Sequence, residues 1–414
     1  MHRLQAEHCA YFRDLLADTF RMVIRLSQWC CTVPFPLEPY QRNEPRNSPK
    51  YFWIVQALRR LYTSLLFSVV LAVPLLLYYL NDGKMHGFKT PLSITLMFCL
   101  QTLLQTGSTS YVLLVFQFQT SFHRFYFDRL VSVLVEFGRP DIGKRLYALR
   151  TNILLLFLAM LLMAILVLAA LLLRDHSWNN LLKIVIFFTT QMIATSLTLL
   201  YMTLFGIVAV LLRQMNETLE IMLYGKAYDE MRTGSQTHPV PVRLIRDEEQ
   251  TIEKIRRLQF QLLQIVLQMN RGAFGRLLIV MLLTIFVFLN TEMLQLYQGI
   301  KAAAFTFDVI GTKLTNSALK FAMLVMFAFS NRLIQRQNLR VLKLLYQLQS
   351  SRNSPRCQDI TKPFITQTMF FLKNAHQAYG MVPIDMTLVL SVVVGMANIL
   401  MVLVQFSEAK TTYN

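Results

Sequence analysis

Seven apolar runs, each too long to be hidden in a water-soluble core, constrain this chain more than any other feature. A membrane-crossing helix needs about 20 predominantly apolar residues, because each residue rises about 1.5 Å across a hydrocarbon layer roughly 30 Å thick. The runs are Leu61–Leu80, Thr90–Phe118, Thr151–Leu173, Leu181–Leu212, Phe274–Tyr297, Ala318–Gln335 and Met386–Phe406. The third is almost pure Leu, Ala and Met. Pro74 lies inside the first, which a membrane helix tolerates. Charged residues make up only 15% of the chain, against roughly 25% in soluble domains. With 54% hydrophobic residues and only 14 Gly and 13 Pro in 414, disorder and collagen-like repeats are excluded as well. The expected fold class is an all-α integral membrane protein with seven transmembrane helices.

The net charge of +18 is distributed by side rather than clustered on a soluble domain, so nucleic acid is not an expected partner. The amino-terminal segment and the even-numbered connections (119–150, 213–273, 336–385) carry 31 Lys and Arg; the odd-numbered connections (81–89, 174–180, 298–317) and the carboxyl-terminal tail carry 6. Basic loops stay in the cytoplasm. This predicts a cytoplasmic N-terminus and an extracellular C-terminus. Cys9, Cys30, Cys31 and Cys357 then face a reducing compartment, Cys99 sits in the membrane, and no outward disulfide is expected. The Asn216-Glu217-Thr218 acceptor also falls inside, where glycosylation is not expected. The first 60 residues are mixed and polar, with no cleavable apolar core.

The layout is accordingly a cytoplasmic segment over 1–60, spans one to four over 61–212, cytosolic extended helices and a loop over 213–273, spans five and six over 274–335, further cytosolic helices over 336–385, span seven over 386–406 and an outer tail over 407–414. Met215, Leu219, Met222 and Leu223 continue the fourth span at helical spacing. The turn-rich TGSQTHPVPV follows. A helix opened by Asp247, Glu248 and Glu249 then leads through Ile252, Ile255, Leu258, Leu262 and Ile265 into the fifth span. Arg332–Gln349 extends the sixth span, SSRNSPRCQD reads as a loop, and Pro363–Tyr379 as a helix. Each helix has an apolar stripe and a basic face, as a bundle in contact with water and anionic membrane lipids requires.

No metal-ligand spacing, nucleophile elbow or phosphate loop occurs, so neither a cofactor nor an enzymatic activity is expected. Glu292 is an acidic residue near the outer end of the fifth span. It either serves a binding function or sits wet at headgroup level. Asn290, Thr291, Gln295 and Tyr297 make that helix end polar, and with Phe188, Thr189, Thr190 and Gln191 of the fourth span they form a candidate outward-opening ligand pocket. In the seventh span Ser391, Gly395, Asn398, Val402 and Gln405 recur at steps of 4, 3, 4 and 3, hence on one face. A small and polar stripe of this kind either packs against another helix or lines water.

The last of these segments, Tyr379–Phe406, resembles the carboxyl-terminal signature of the insect gustatory receptors. Gly380, Asp385, Gly395, Leu400–Val404, Gln405 and Phe406 fit, whereas Asn398 and Ile399 stand where the family has Thr-Tyr. The inverted seven-span layout extends the likeness along the chain. The resemblance implies a ligand-gated, poorly selective cation channel of four subunits, a homotetramer or heterotetramer in the plasma membrane of sensory neurons, opened by a small-molecule tastant that binds from outside. It also implies that Ser391, Gly395, Asn398, Val402, Gln405 and Phe406 line the pore. Gln405 would then form a ring of amides at the outer mouth, with Val402 and Phe406 as apolar constrictions.

Two other seven-span readings were weighed. A G-protein-coupled receptor has the opposite orientation; Asp128-Arg129 lacks a following Tyr, and no Asn-Pro-x-x-Tyr occurs in the seventh span. A transporter usually shows internal repeats, and none is visible. Orientation separates these readings. An epitope tag placed after Asn414 is expected to stain on intact cells bearing the protein at their surface; staining only after permeabilisation contradicts the span count or the orientation.

Overall fold

The chain becomes helical wherever its apolar periodicity is sustained, and a computed structural model describes residues 2–33, 49–80, 92–116, 120–138, 141–174, 177–233, 242–301, 307–351 and 355–412. In order, the helices are α1 (His2–Trp29), α2 (Pro49–Leu80), α3 (Leu92–Val115), α4 (Thr120–Phe137), α5 (Ile142–Arg174), α6 (Trp178–Thr233), α7 (Val242–Arg271), α8 (Ala273–Lys301), α9 (Phe307–Ser351) and α10 (Pro355–Asn374). A two-stranded hairpin, β1 (Gln377–Ala378) and β2 (Val382–Pro383), leads into α11 (Met386–Thr412). The seven apolar runs fall on α2, α3, α5, α6, α8, α9 and α11. The ends of the second run and most of TGSQTHPVPV lie outside the described residues.

Burial sorts these helices into centre and rim. In α6, 83% of the apolar stretch is buried inside the protein, against 17% in α2 and 22% in α5. The α2 and α5 surfaces present Leu61, Leu65, Leu75, Leu155, Leu158 and Leu162 outward. Helices apolar on their outer face need lipid around them. Along the spans the hydroxyls of the buried Thr190, Thr203 and Ser330 and of the half-buried Thr284 donate to carbonyls one turn back on their own helices. Such internal pairing removes the cost of a polar atom where water is absent.

The 56 residues of α6 extend about 84 Å at 1.5 Å per residue, far more than a bilayer needs. The 45-residue α9 runs beside it. Their extensions, with α1, α4, α7 and α10, make a second bundle in which side-chain polarity joins the helices. Arg145 of α5 chelates Glu217 of α6 with bonds of 3.0 and 2.7 Å. Arg340 of α9 does the same to Glu220. Asn216 donates to the main chain and side chain of Gln337 at 3.0 and 2.9 Å, and Gln367 of α10 reaches the Arg256 carbonyl of α7 at 3.0 Å. Bidentate Arg–carboxylate pairs add geometric specificity as well as energy.

Two parts of this bundle depart from the sequence reading. The amino-terminal segment is not merely polar: α1 buries Phe12, Leu16, Phe20, Val23 and Ile24 along one face, the i, i+4 periodicity of an amphipathic helix. The final helix before the hairpin starts at Pro355 rather than Pro363 and stops at Asn374. A proline is well placed in the first turn, where its missing N–H costs nothing. The stretch predicted to continue the helix to Tyr379 is diverted into the hairpin.

The hairpin is held by a buried polar knot. The Tyr201 hydroxyl of α6 donates to Asn270 Oδ1 of α7 at 2.7 Å and accepts from Asn331 Nδ2 of α9 at 2.5 Å. Asn270 Nδ2 contacts both Asn331 Oδ1 (3.0 Å) and the Ala375 carbonyl (2.7 Å). His376 Nδ1 lies 3.3 Å from Asn331 Oδ1. The Asn270 carbonyl accepts the Tyr379 N–H at 2.7 Å. This approach requires glycine at 275: a Cβ there would fall 1.7 Å from the Asn270 oxygen. Gly380 turns the hairpin with φ +74°, a conformation that favours glycine. Tyr201 stacks on Phe205 and Phe274, with ring centroids 4.1 and 5.4 Å away.

Burial pushes the His376 imidazole down to about 4 and that of His123, on α4, to about 3. Both are therefore neutral in the folded protein. The unfolded histidines take protons near pH 6.5, so stability is fully present above that pH and declines as pH falls from about 6.5 toward 4. Thermal melts of the solubilised protein at pH 7.5 and pH 5 are expected to show a lower midpoint at pH 5, and His376→Gln is expected to narrow that drop. An unchanged drop in the variant excludes His376 as a source.

Candidate functional site

Between α3, α6, α8 and α9 lies a small, partly open cavity of about 40 Å³. Helix α3 contributes Gln105, Ser108 and Thr109, and α6 contributes Thr190 and Ala194. Met281, Thr284, Ile285 and Phe288 come from α8, and Lys320 and Met323 from α9. Helical spacing explains the grouping: 105, 108 and 109 share a face of α3, as 281, 284, 285 and 288 share one of α8. The Gln105 amide donates to Thr190 Oγ1 at 2.7 Å, tying two walls together. Ser108 and Thr109 both donate to the Gln105 carbonyl. The hydroxyls thereby spend their protons on the backbone.

Lys320 is the charged member of this lining. It is 7% exposed, and its ammonium sits 5.5 Å from the centre of the Phe288 ring. Among the described residues no carboxylate lies within ion-pairing distance of it. A charge at membrane depth is expensive, faces the interior of a bundle and usually serves function.

Apart from Thr190, the residues predicted from sequence to form a pocket lie outside this cavity's lining. Glu292 is buried and paired with Lys313 of α9 at 3.0 Å, and the Gln295 side chain also accepts from Lys313. The acid is therefore neutralised across the α8–α9 connection. Asn290 donates to the Phe286 carbonyl of its own helix at 2.8 Å. Tyr297, Phe188 and Thr189 are half-buried. Gln191 is 1% exposed, and both of its amide atoms lack a hydrogen-bond partner among the described residues. Thr190, named beside them, is the one that reaches the cavity. Sequence reasoning missed Lys320, Gln105, Ser108 and Thr109. A basic residue in a span together with a polar i, i+3, i+4 face on α3 was the signal available.

The second candidate surface is α11. Asp385 caps its N-terminus: Oδ1 accepts the N–H of Thr387 at 3.0 Å and of Leu388 at 3.3 Å. Ser391, Asn398, Val402 and Gln405 are exposed on the single subunit. Gly395 is half-buried, and a Cβ on it would come 3.2 Å from the Phe286 ring of α8. The side chain of Phe406 lies outside the described ones. The exposed arc of α11 also carries Leu390, Val394 and Met401.

Comparison with known proteins adds family to geometry. Residues 20–410 match the sequence profile of the 7tm chemosensory receptor family. No curated protein matches the chain. Among solved structures, the insect olfactory receptor OR5 from Machilis hrabei in complex with eugenol superposes with a TM-score of 0.63 at 11% identity, over 95% of this chain and 100% of that one. A second structure of the same receptor gives 0.62 at 11% identity, over 94% of this chain and 97% of that one. At such identity the likeness is one of fold, and it spans the whole multi-span helical architecture. The profile covers nearly the entire chain, and the chain therefore belongs to the seven-transmembrane chemosensory receptor family, a family of membrane receptors and not of enzymes.

Proposed function

We propose that this receptor is a gustatory receptor of the plasma membrane: a ligand-gated, non-selective cation channel, assembled from four like or mixed subunits, that opens when a small-molecule tastant binds from the extracellular side. The cavity among α3, α6, α8 and α9 carries this reading. It is a small, partly open, largely apolar space between helices with a few convergent polar groups, a place where small-molecule sites occur. The olfactory receptor that shares the fold was solved with the small odorant eugenol. The signature around Gly380, Asp385, Gln405 and Phe406 supports the gustatory branch.

The path from ligand to gate follows the packing. The cavity walls α8 and α9 both contact α11, and the knot at Asn270 and Asn331 joins α7 and α9 to the hairpin that enters it. A ligand that fits the cavity better in one packing of α8 and α9 shifts the population of that packing. In a four-subunit ring the exposed Ser391, Asn398, Val402 and Gln405 would surround the central axis, Gln405 offering amide oxygens to a passing cation.

Current recordings from cells expressing the receptor test both halves. Ala194→Phe, which fills the cavity, is expected to abolish activation by any agonist while leaving surface protein unchanged; a normal dose response removes the cavity from ligand binding. Separately, Gln405→Ala is expected to change relative cation permeability or unitary conductance, and unaltered currents remove α11 from the pore.

A further inference from the structure

Lys320 assigns a ligand class to the cavity. We propose that the site takes a small organic anion, a carboxylate, whose charge meets the Lys320 ammonium while its hydrocarbon part lies against Met281, Ile285 and Met323. The inference rests on the cavity being the ligand site, and it names what that site selects.

Three observations converge. The ammonium is more than nine-tenths buried and lines the cavity. Its near companion is the face of the Phe288 ring at 5.5 Å. An aromatic face stabilises a cation without neutralising it. The nearby acid is already committed, because Glu292, one turn beyond Phe288 on α8, pairs with Lys313. Ser317, one turn from Lys320 on α9, is buried with a hydroxyl that meets no partner among the described residues, but it does not belong to the cavity lining. Ser108 and Thr109, by contrast, donate to the backbone.

A buried cation with no counter-ion is costly, and a ligand that brings the missing charge recovers that cost on binding. A neutral ligand of the same shape leaves the cation unpaired. Discrimination of this kind is stronger than that of an apolar pocket, since the site penalises the analogue that lacks the matching group. The cavity is small, so the hydrocarbon part of the ligand must be small as well.

The test uses the full chain in lipid nanodiscs and measures binding of butyrate, hexanoate and benzoate, each beside its methyl ester, with oleate as a lipid carboxylate. At least one small acid is expected to bind tenfold or more tightly than its ester. Lys320→Met and Lys320→Gln are expected to erase that preference while preserving a monodisperse protein and ester binding. Acids and esters binding alike, or no small acid binding, overturns the proposal, and oleate binding in place of the short acids overturns the small-ligand assignment. Ala194→Phe separates the two levels of inference. If it blocks binding but no acid preference exists, the cavity is the site and the carboxylate is wrong; if it leaves acid binding intact, the cavity itself is not the site.

Discussion

Three side chains meeting away from water hold the two halves of this receptor together. Tyr201, Asn270 and Asn331 come from α6, α7 and α9, and each satisfies the others. Removing one partner from a buried hydrogen-bonded group costs about 1–3 kcal/mol, and here each loss strands two other groups. The knot also decides where the last helix begins. The Asn270 side chain holds the Ala375 carbonyl, and its main-chain carbonyl holds the Tyr379 N–H. Gly275 makes that approach sterically possible. The hairpin, the Asp385 cap and the entry angle of α11 all follow from this point.

Around the knot the structure divides by solvent. One bundle faces lipid, and there hydroxyls pair with their own helix and leucines face outward. The other is joined by chelated carboxylates and amide pairs, Arg145 with Glu217 and Asn216 with Gln337. Charge pairs of this sort belong where water can share their solvation. Helix α6 runs through both, which is why its apolar stretch is so deeply buried while α2 and α5 stay at the rim.

The cavity stands where these constraints relax. Lipid-facing spans must be apolar outside, and tightly packed spans must be apolar or small between helices. Gln105, Thr190 and Lys320 satisfy neither rule, and the space between them is the result. Local departures from the pattern that otherwise specifies a fold tend to mark function.

The places of the long apolar helices were legible because they depend on local chemistry. A run such as Thr151–Leu173 has no soluble alternative, and the Met215–Leu223 spacing announces a helix continuing past the membrane. The α11 stripe at 391, 395, 398, 402 and 405 was legible for the same reason, as periodicity along one helix. Glu292 shows where this stops. Its position in a span marked it as notable, but only the fold brings Lys313 to it from another helix. Likewise Gly395, read as part of a polar face, lies against Phe286. Lys320 is a charge in a span of the sequence, and only the packing of four helices buries it away from every carboxylate among the described residues. Hydropathy and charge, summed along the chain, determined by themselves that it spans a membrane many times, because transfer energy is a property of each segment. Which groups meet across helices was decided by tertiary structure, because a hydrogen bond or an ion pair is a property of two segments that sequence distance does not relate.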